Sequence, residues 1–110
     1  MSDTIAAIAT PIGEGGVTII RFSGTDSLSI ALKLFYTPSG KSIKKLYPNK
    51  AHFGSIYEPT TRKCVDEVVL TWFKNPKSYT GEDVVEISAH GGTFVSSRIL
   101  GLVLDHGARL

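Results

Sequence analysis

The chain has 110 residues, of which 42% are hydrophobic and 20% charged, and its formal net charge is +2. These values are typical of one globular domain with one core, and the charge alone is too small to indicate strong nucleic-acid binding. Because Cys64 is the single cysteine, an internal disulfide framework is excluded and a reducing cytoplasm is favoured. Neither a signal peptide nor an apolar run of about 18 residues is found, so we expect no membrane association.

The first two segments predict a pair of strands. Residues 4–10 are short and apolar, residues 17–22 are rich in β-branched side chains, and the glycines of residues 11–16 mark a turn between them. Alternation along the second strand places Arg21 on the same face as Ile19. An arginine on such a face either extends to water or meets an acidic partner, and the sequence leaves both open.

A helix is predicted next, and a basic loop after it. Residues 25–27 (Thr, Asp, Ser) offer N-cap side chains. The predicted buried stripe consists of apolar residues at helical spacing: Leu28, Ala31, Leu32 and Phe35. Residues 37–40 end the helix, and residues 41–50 carry four lysines. Such a cluster is more often a solvated loop than an RNA contact, although contact with RNA near Lys44 stays an alternative.

The rest of the chain predicts three more strands and a second helix. The strands are residues 51–57, 65–73 and 83–89. Gly91 and Gly92 lead into the helix, whose predicted apolar face is Val95, Ile99, Leu102 and Val103, and Gly107 stands where a helix ends. The order is ββαβββα, and it indicates an α+β domain with two helices packed on a mixed sheet.

Glu86 is a candidate ligand-binding residue. Alternation places it with Ser88 and His90 on a polar face of its strand, while Ile87 and its apolar neighbours face the core. A carboxylate there could accept two parallel hydrogen bonds from a planar heterocycle with adjacent ring N–H and amino groups, such as a pterin or guanine. The other interpretation, a solvated sheet face, stays open.

Two other kinds of chemistry are disfavoured by the sequence. Gly40, Lys41 and Ser42 match the end of a phosphate-binding loop, but that pattern needs a glycine where Phe35 stands. His90 precedes a glycine turn that exposes backbone N–H groups, yet no nucleophile motif accompanies it, so no catalytic residue is assigned. The three histidines and Cys64 have no metal-ligand spacing, and Cys64 is interpreted as a small structural residue.

The sequence resembles the N-terminal domain of the tRNA modification GTPase family, known as MnmE or TrmE. The resemblance is carried by residues 3–11 with the glycines of the following turn, Arg21 with Ser23 and Gly24, residues 78–86, and residues 90–92 with 107–109. The run YTGEDV at residues 79–84, followed by HGG at 90–92, is the most specific part. Residues 37–50 are the weakest part of the match.

The resemblance implies a fold like half of the folate-binding unit of the glycine-cleavage T-protein. It implies that residues 1–110 form an N-terminal domain that dimerises with a second copy and binds 5-formyltetrahydrofolate near the dimer interface. In the family, an FAD-dependent partner of the MnmG or GidA type acts with the full protein in carboxymethylaminomethyl modification of the tRNA wobble uridine. The family's helical and GTPase domains, with bound GTP, Mg²⁺ and K⁺, are absent here, so we expect no GTP hydrolysis from this chain alone.

Two folate-contacting positions of the family correspond to Arg21 and Glu86. The resemblance implies that Glu86 holds the amino edge of the pterin and that Arg21 offers hydrogen-bond donors or charge. A further basic contact of the family lies beyond Leu110, so the site is expected to be incomplete. This sequence departs from the family at Ile12 and Glu14, and at residues 88–89 before the HGG run. A scaffold domain that dimerises without binding folate is the alternative.

Overall fold

The computed structural model describes residues 3–9, 16–75 and 82–110. The elements, in chain order, are β1 (Ile5–Ile8), β2 (Val17–Ser23), α1 (Ser27–Leu34), β3 (Phe35–Tyr36), β4 (Ala51–Tyr57), β5 (Cys64–Phe73), β6 (Val84–His90) and α2 (Thr93–Asp105). The turn predicted at residues 11–16 lies outside the described residues except for Gly16, as does most of the loop predicted at residues 75–81.

The six strands form one sheet in the order β1-β2-β6-β5-β4-β3. The α+β class and the two helices are confirmed. Every pair of named strands is antiparallel, and the one parallel contact in the described residues is an isolated bridge between Ile5 and Arg109. The element missing from the predicted order is β3, because two residues after a helix are too short to produce an alternating pattern.

Both helices cover one face of the sheet, and the core lies between these two layers. The register aligns Ile20, Ile87 and Leu70 across the three central strands, and all three are fully buried. From the helices, Ile30, Leu34, Ile99 and Val103 pack into the same core. The opposite face of the sheet has no helix over it among the described residues, so its side chains are available for a site.

Helix α1 differs from its prediction in two respects. Its buried residues are Ser27, Ile30, Ala31 and Leu34, so the stripe is rotated from the predicted one and Phe35 belongs to β3 instead. Both stripes are apolar, so periodicity alone does not distinguish them. The N-cap residue Asp26 makes no side-chain capping bond, and its backbone N–H donates to Thr4 Oγ1 at 3.0 Å. The N-terminal end of α1 is therefore hydrogen-bonded to Thr4, in the segment before β1.

The helix α2 agrees with its prediction, since Ile99, Leu102 and Val103 are buried and Gly107 follows the helix at a φ of +117°. The predicted loop over residues 41–50 is also confirmed as exposed, except for Leu46, which is buried in the core, and Ile43, which packs against it. Within the described ranges, no helix is both long enough and apolar enough to cross a bilayer.

Candidate functional site

Arg21 and Glu86 are direct cross-strand partners on the face of the sheet that carries no helix. The antiparallel register of β2 and β6 places them opposite each other although 65 residues separate them in sequence. Arg21 Nε donates to Glu86 Oε2 at 2.7 Å, and Nη2 lies 2.6 Å from the same oxygen. Of the two interpretations of Arg21, the structure therefore shows the acidic partner.

This ion pair keeps contact with solvent. The side chains of Arg21 and Glu86 are 39% and 21% exposed. Both contacts use Oε2, and in the described part of the chain no group donates to Oε1 of Glu86. A carboxylate accepts about four hydrogen bonds, so Glu86 has acceptor capacity left for a ligand. Thr71 on β5 is the other cross-strand neighbour of Glu86, so the row across the sheet is polar.

A cavity of about 240 Å³ lies next to this ion pair and begins at Ser88, two residues after Glu86 on β6. Its lining is mostly apolar and comprises Gly16, Val17, Phe53, Glu67, Val68, Val69, Ser88, Ala89 and His90. Val17 and Phe53 are each more than half exposed, and because both line this cavity they belong to one apolar patch. An ion pair and an apolar cavity therefore adjoin on one face, the combination found in sites for small organic ligands.

His90 forms a pair with Asp66 at the rim of this cavity. Its Nδ1 lies 2.7 Å from Asp66 Oδ1, and its backbone N–H donates to Asp66 Oδ2 at 2.8 Å. The His90 side chain is otherwise 72% exposed. Among the described residues, no hydroxyl or thiol is bonded to this histidine, so the structure assembles no nucleophile–base pair here. Sequence reasoning missed Asp66, because a lone aspartate at the start of a strand gives no signal.

Sequence reasoning also missed the ion pair between Arg98 on α2 and Glu58, the residue after β4. The hydrogen bond from Arg98 lowers the pKa of Glu58 and raises that of Arg98. A cavity of about 430 Å³ beside the pair is lined partly by Cys64, which is exposed, and by Phe94, which is 81% exposed. The described residues contain no group of three or more side chains suited to a metal ion.

Comparison with known proteins shows which family this sequence belongs to. A family model described as the GTP-binding protein TrmE N-terminus matches residues 4–110. The chain is 47% identical over 108 residues to the tRNA modification GTPase MnmE of Lysinibacillus sphaericus, covering 98% of this chain and 23% of that protein. It is 48% identical, with the same coverage, to the MnmE proteins of Lactobacillus helveticus and of Streptococcus pneumoniae.

The chain thus spans about a quarter of the length of the curated relatives it matches, 23% in each of these cases. The matched region includes both Arg21 and Glu86, and it extends over every strand of the sheet and both helices. The chain therefore belongs to the TrmE N-terminal family.

Proposed function

We propose that this chain is the reduced-folate-binding and dimerisation domain of a tRNA-modifying GTPase. The observation that carries the proposal is the Arg21–Glu86 pair, which presents a carboxylate with spare acceptor capacity on an open sheet face. Because Arg21 holds Oε2 in place, the carboxylate is oriented before a ligand arrives, which reduces the entropy lost on binding.

The residues present fit a reduced folate such as 5-formyltetrahydrofolate. The pterin's ring N–H and amino group would donate to Glu86, whose Oε1 receives no donor from the described residues. The rest of the ligand would follow β6 toward Ser88, where the cavity offers Val17 and Phe53 to an aromatic ring. When bound, the folate supplies a one-carbon unit, and this chain's side chains bind and orient it.

Dimerisation is proposed for the same face of the sheet. Val17, Phe53 and Val69 are large apolar residues exposed on it, and burying such side chains against a second copy is favourable by roughly 25 cal/mol per Å² of apolar surface. A second copy placed there would also close the folate site, which is otherwise open on its outer side.

The roles of the whole protein are proposed from its relatives, which are named as tRNA modification GTPases. We propose that the full protein modifies the wobble uridine of tRNA in the cytoplasm, together with an FAD-dependent partner. GTP, Mg²⁺ and K⁺ would bind in segments that this chain does not include. No catalytic role is proposed for the chain itself.

The test is calorimetric titration of the chain with 5-formyltetrahydrofolate. We expect saturable binding that is weakened by about 10-fold or more in Glu86→Gln, which removes the charge and keeps the shape of the side chain. Asp105→Asn is the matched control, because it removes one exposed carboxylate from α2, on the other side of the sheet. If neither this chain nor one as long as its relatives binds folate, the proposal is refuted.

The alternative, a scaffold that dimerises without a ligand, makes a different prediction. Light scattering after gel filtration would then give a dimer mass while calorimetry shows no folate binding at any chain length. A strictly monomeric chain of 11.9 kDa would count against both proposals.

A further inference from the structure

More than a quarter of the chain is basic without any acidic residue. Residues 27–57 contain five lysines and no aspartate or glutamate. The small net charge of the whole chain therefore hides a strongly asymmetric distribution. Local charge, more than net charge, decides which ligands a surface attracts.

Two of these lysines meet around one aromatic ring. The ammonium groups of Lys45 and Lys50 lie 5.2 Å and 5.9 Å from the centre of the Tyr47 ring. The ring itself stacks on His52, with 6.2 Å between centroids and 6° between planes. The Tyr47 backbone N–H also donates to His52 Nε2 at 3.2 Å, so the position of Tyr47 is fixed from β4.

A third lysine joins them from β5. The backbone N–H of Asn49 donates to the carbonyl of Trp72 at 2.7 Å, which holds the end of the loop against the C-terminal end of β5. Lys74 follows the strand, and its ammonium group lies 5.9 Å from the Trp72 ring. Lys74 therefore follows the strand end to which the loop of Lys45 and Lys50 is bonded, and these three lysines are called the lysine surface below.

The charges of the lysine surface are not neutralised within the described residues. The ion pairs found there involve Arg21, His90, Arg98 and Arg109, and none of these lysines. An anionic partner would therefore find three cations already positioned. Phosphate oxygens at regular spacing match such a group, because each lysine acts as a point charge with rotatable donors.

We propose that the lysine surface contacts the phosphate backbone of RNA. A membrane is a poorer match, since Leu46 is buried in the core and the half-exposed Tyr47 ring is stacked on His52 with two lysine ammonium groups beside it. The relatives are named for tRNA modification, which makes RNA available as a partner. This inference goes beyond folate binding and does not depend on it.

Contacts of this kind position RNA and do not read its sequence. Their signature is the dependence of affinity on salt, because each neutralised phosphate releases counterions. Three lysines predict a slope of log K against log salt of about −2 to −3 for each protomer.

The experiment uses fluorescence anisotropy of a labelled tRNA transcript titrated with the chain between low and moderate salt. We expect Lys45→Gln/Lys50→Gln to reduce the slope by about 2 and to weaken binding at low salt. The matched control is Arg62→Gln/Lys63→Gln, which removes the same charge at the opposite end of β5, a strand of ten residues or about 30 Å. That control should leave the slope unchanged.

Circular dichroism melting establishes that each variant is folded. If the double variant does not fold, Lys74→Gln alone should reduce the slope by about 1, and Lys45→Arg should keep it. If the double variant and the control lose the same RNA affinity and the same salt slope, the proposal is overturned, because binding would then follow net charge. Absence of RNA binding at low salt, or binding to phosphatidylserine vesicles in its place, would overturn it too.

Discussion

Arg98 of α2 forms a bidentate ion pair with Glu58, the residue that follows β4. Its Nε donates to Oε2 and its Nη2 to Oε1, across 40 residues of sequence. Arg62 N–H donates to the Glu58 carbonyl, and Glu58 N–H donates to the Lys63 carbonyl, so the same residue closes the turn between β4 and β5. The pair therefore fastens the first half of α2 to this turn.

The Glu58–Arg98 pair predicts a pH-dependent contribution to stability. The hydrogen bond from Arg98 lowers the folded-state pKa of Glu58 below the unfolded value of about 4.3. Its contribution is therefore complete above that value and is lost as the pH falls through the lower folded-state pKa. In urea unfolding, we expect Glu58→Gln to be less stable than the unsubstituted chain at pH 7, and the difference to shrink as the pH falls below the unfolded-state pKa. A difference that stays constant across this range would contradict the assignment.

The strand pattern of β6 was readable from its sequence. Ile87 and Ala89 are buried and Glu86 and Ser88 are half-buried on the opposite face, as alternation predicted. The pattern succeeds here because one face of β6 meets the helices and the other does not, so each position has one environment. Helix α1 lacks that contrast, since Leu28 and Leu32 are as apolar as Ile30 and Leu34.

The partner of Arg21 could not be predicted from the sequence around Arg21. Arg21 meets Glu86 because β6 is inserted between β2 and β5, and no local pattern encodes that strand order. The resemblance pointed to both residues, but their direct contact is a consequence of register. Asp66 with His90, and Glu58 with Arg98, depend on the same kind of long-range placement.

Glu86→Gln is predicted to separate ligand binding from folding. The Arg21–Glu86 pair is partly exposed, and such pairs stabilise proteins by less than about 1 kcal/mol. Hydrogen bonds to a charged group contribute about 1.5–3 kcal/mol to binding, so folate affinity should fall by roughly 10- to 100-fold or more. Thermal melting and calorimetry measure the two effects. A large loss of stability with unchanged folate affinity would show that the pair has a structural role only.

A pair of glycine substitutions should have opposite effects on stability. A Cβ at Gly54 would lie 2.3 Å from the carbonyl oxygen of Tyr36 and 2.6 Å from the Phe35 ring. Gly54→Ala should therefore push β3 from the sheet and cost about 1–3 kcal/mol or more. Gly101→Ala in α2 meets only Arg98 Nη1 at 3.6 Å and should stabilise by about 0.5–1 kcal/mol. Urea unfolding of both variants measures this, and a neutral Gly54→Ala would contradict the close approach.

Phe53→Asp is predicted to weaken the proposed dimer. Phe53 is 59% exposed on the helix-free face, and a carboxylate there would lose its hydration if a second copy covered it. Light scattering across a concentration series should therefore show the variant shifted to monomer, with its melting temperature recorded as a check on folding. Phe94→Asp is the matched control, because Phe94 is 81% exposed but lies on α2. If Phe94→Asp dissociates the dimer and Phe53→Asp does not, the interface lies at α2, and the open sheet face would then need another partner to close the folate site.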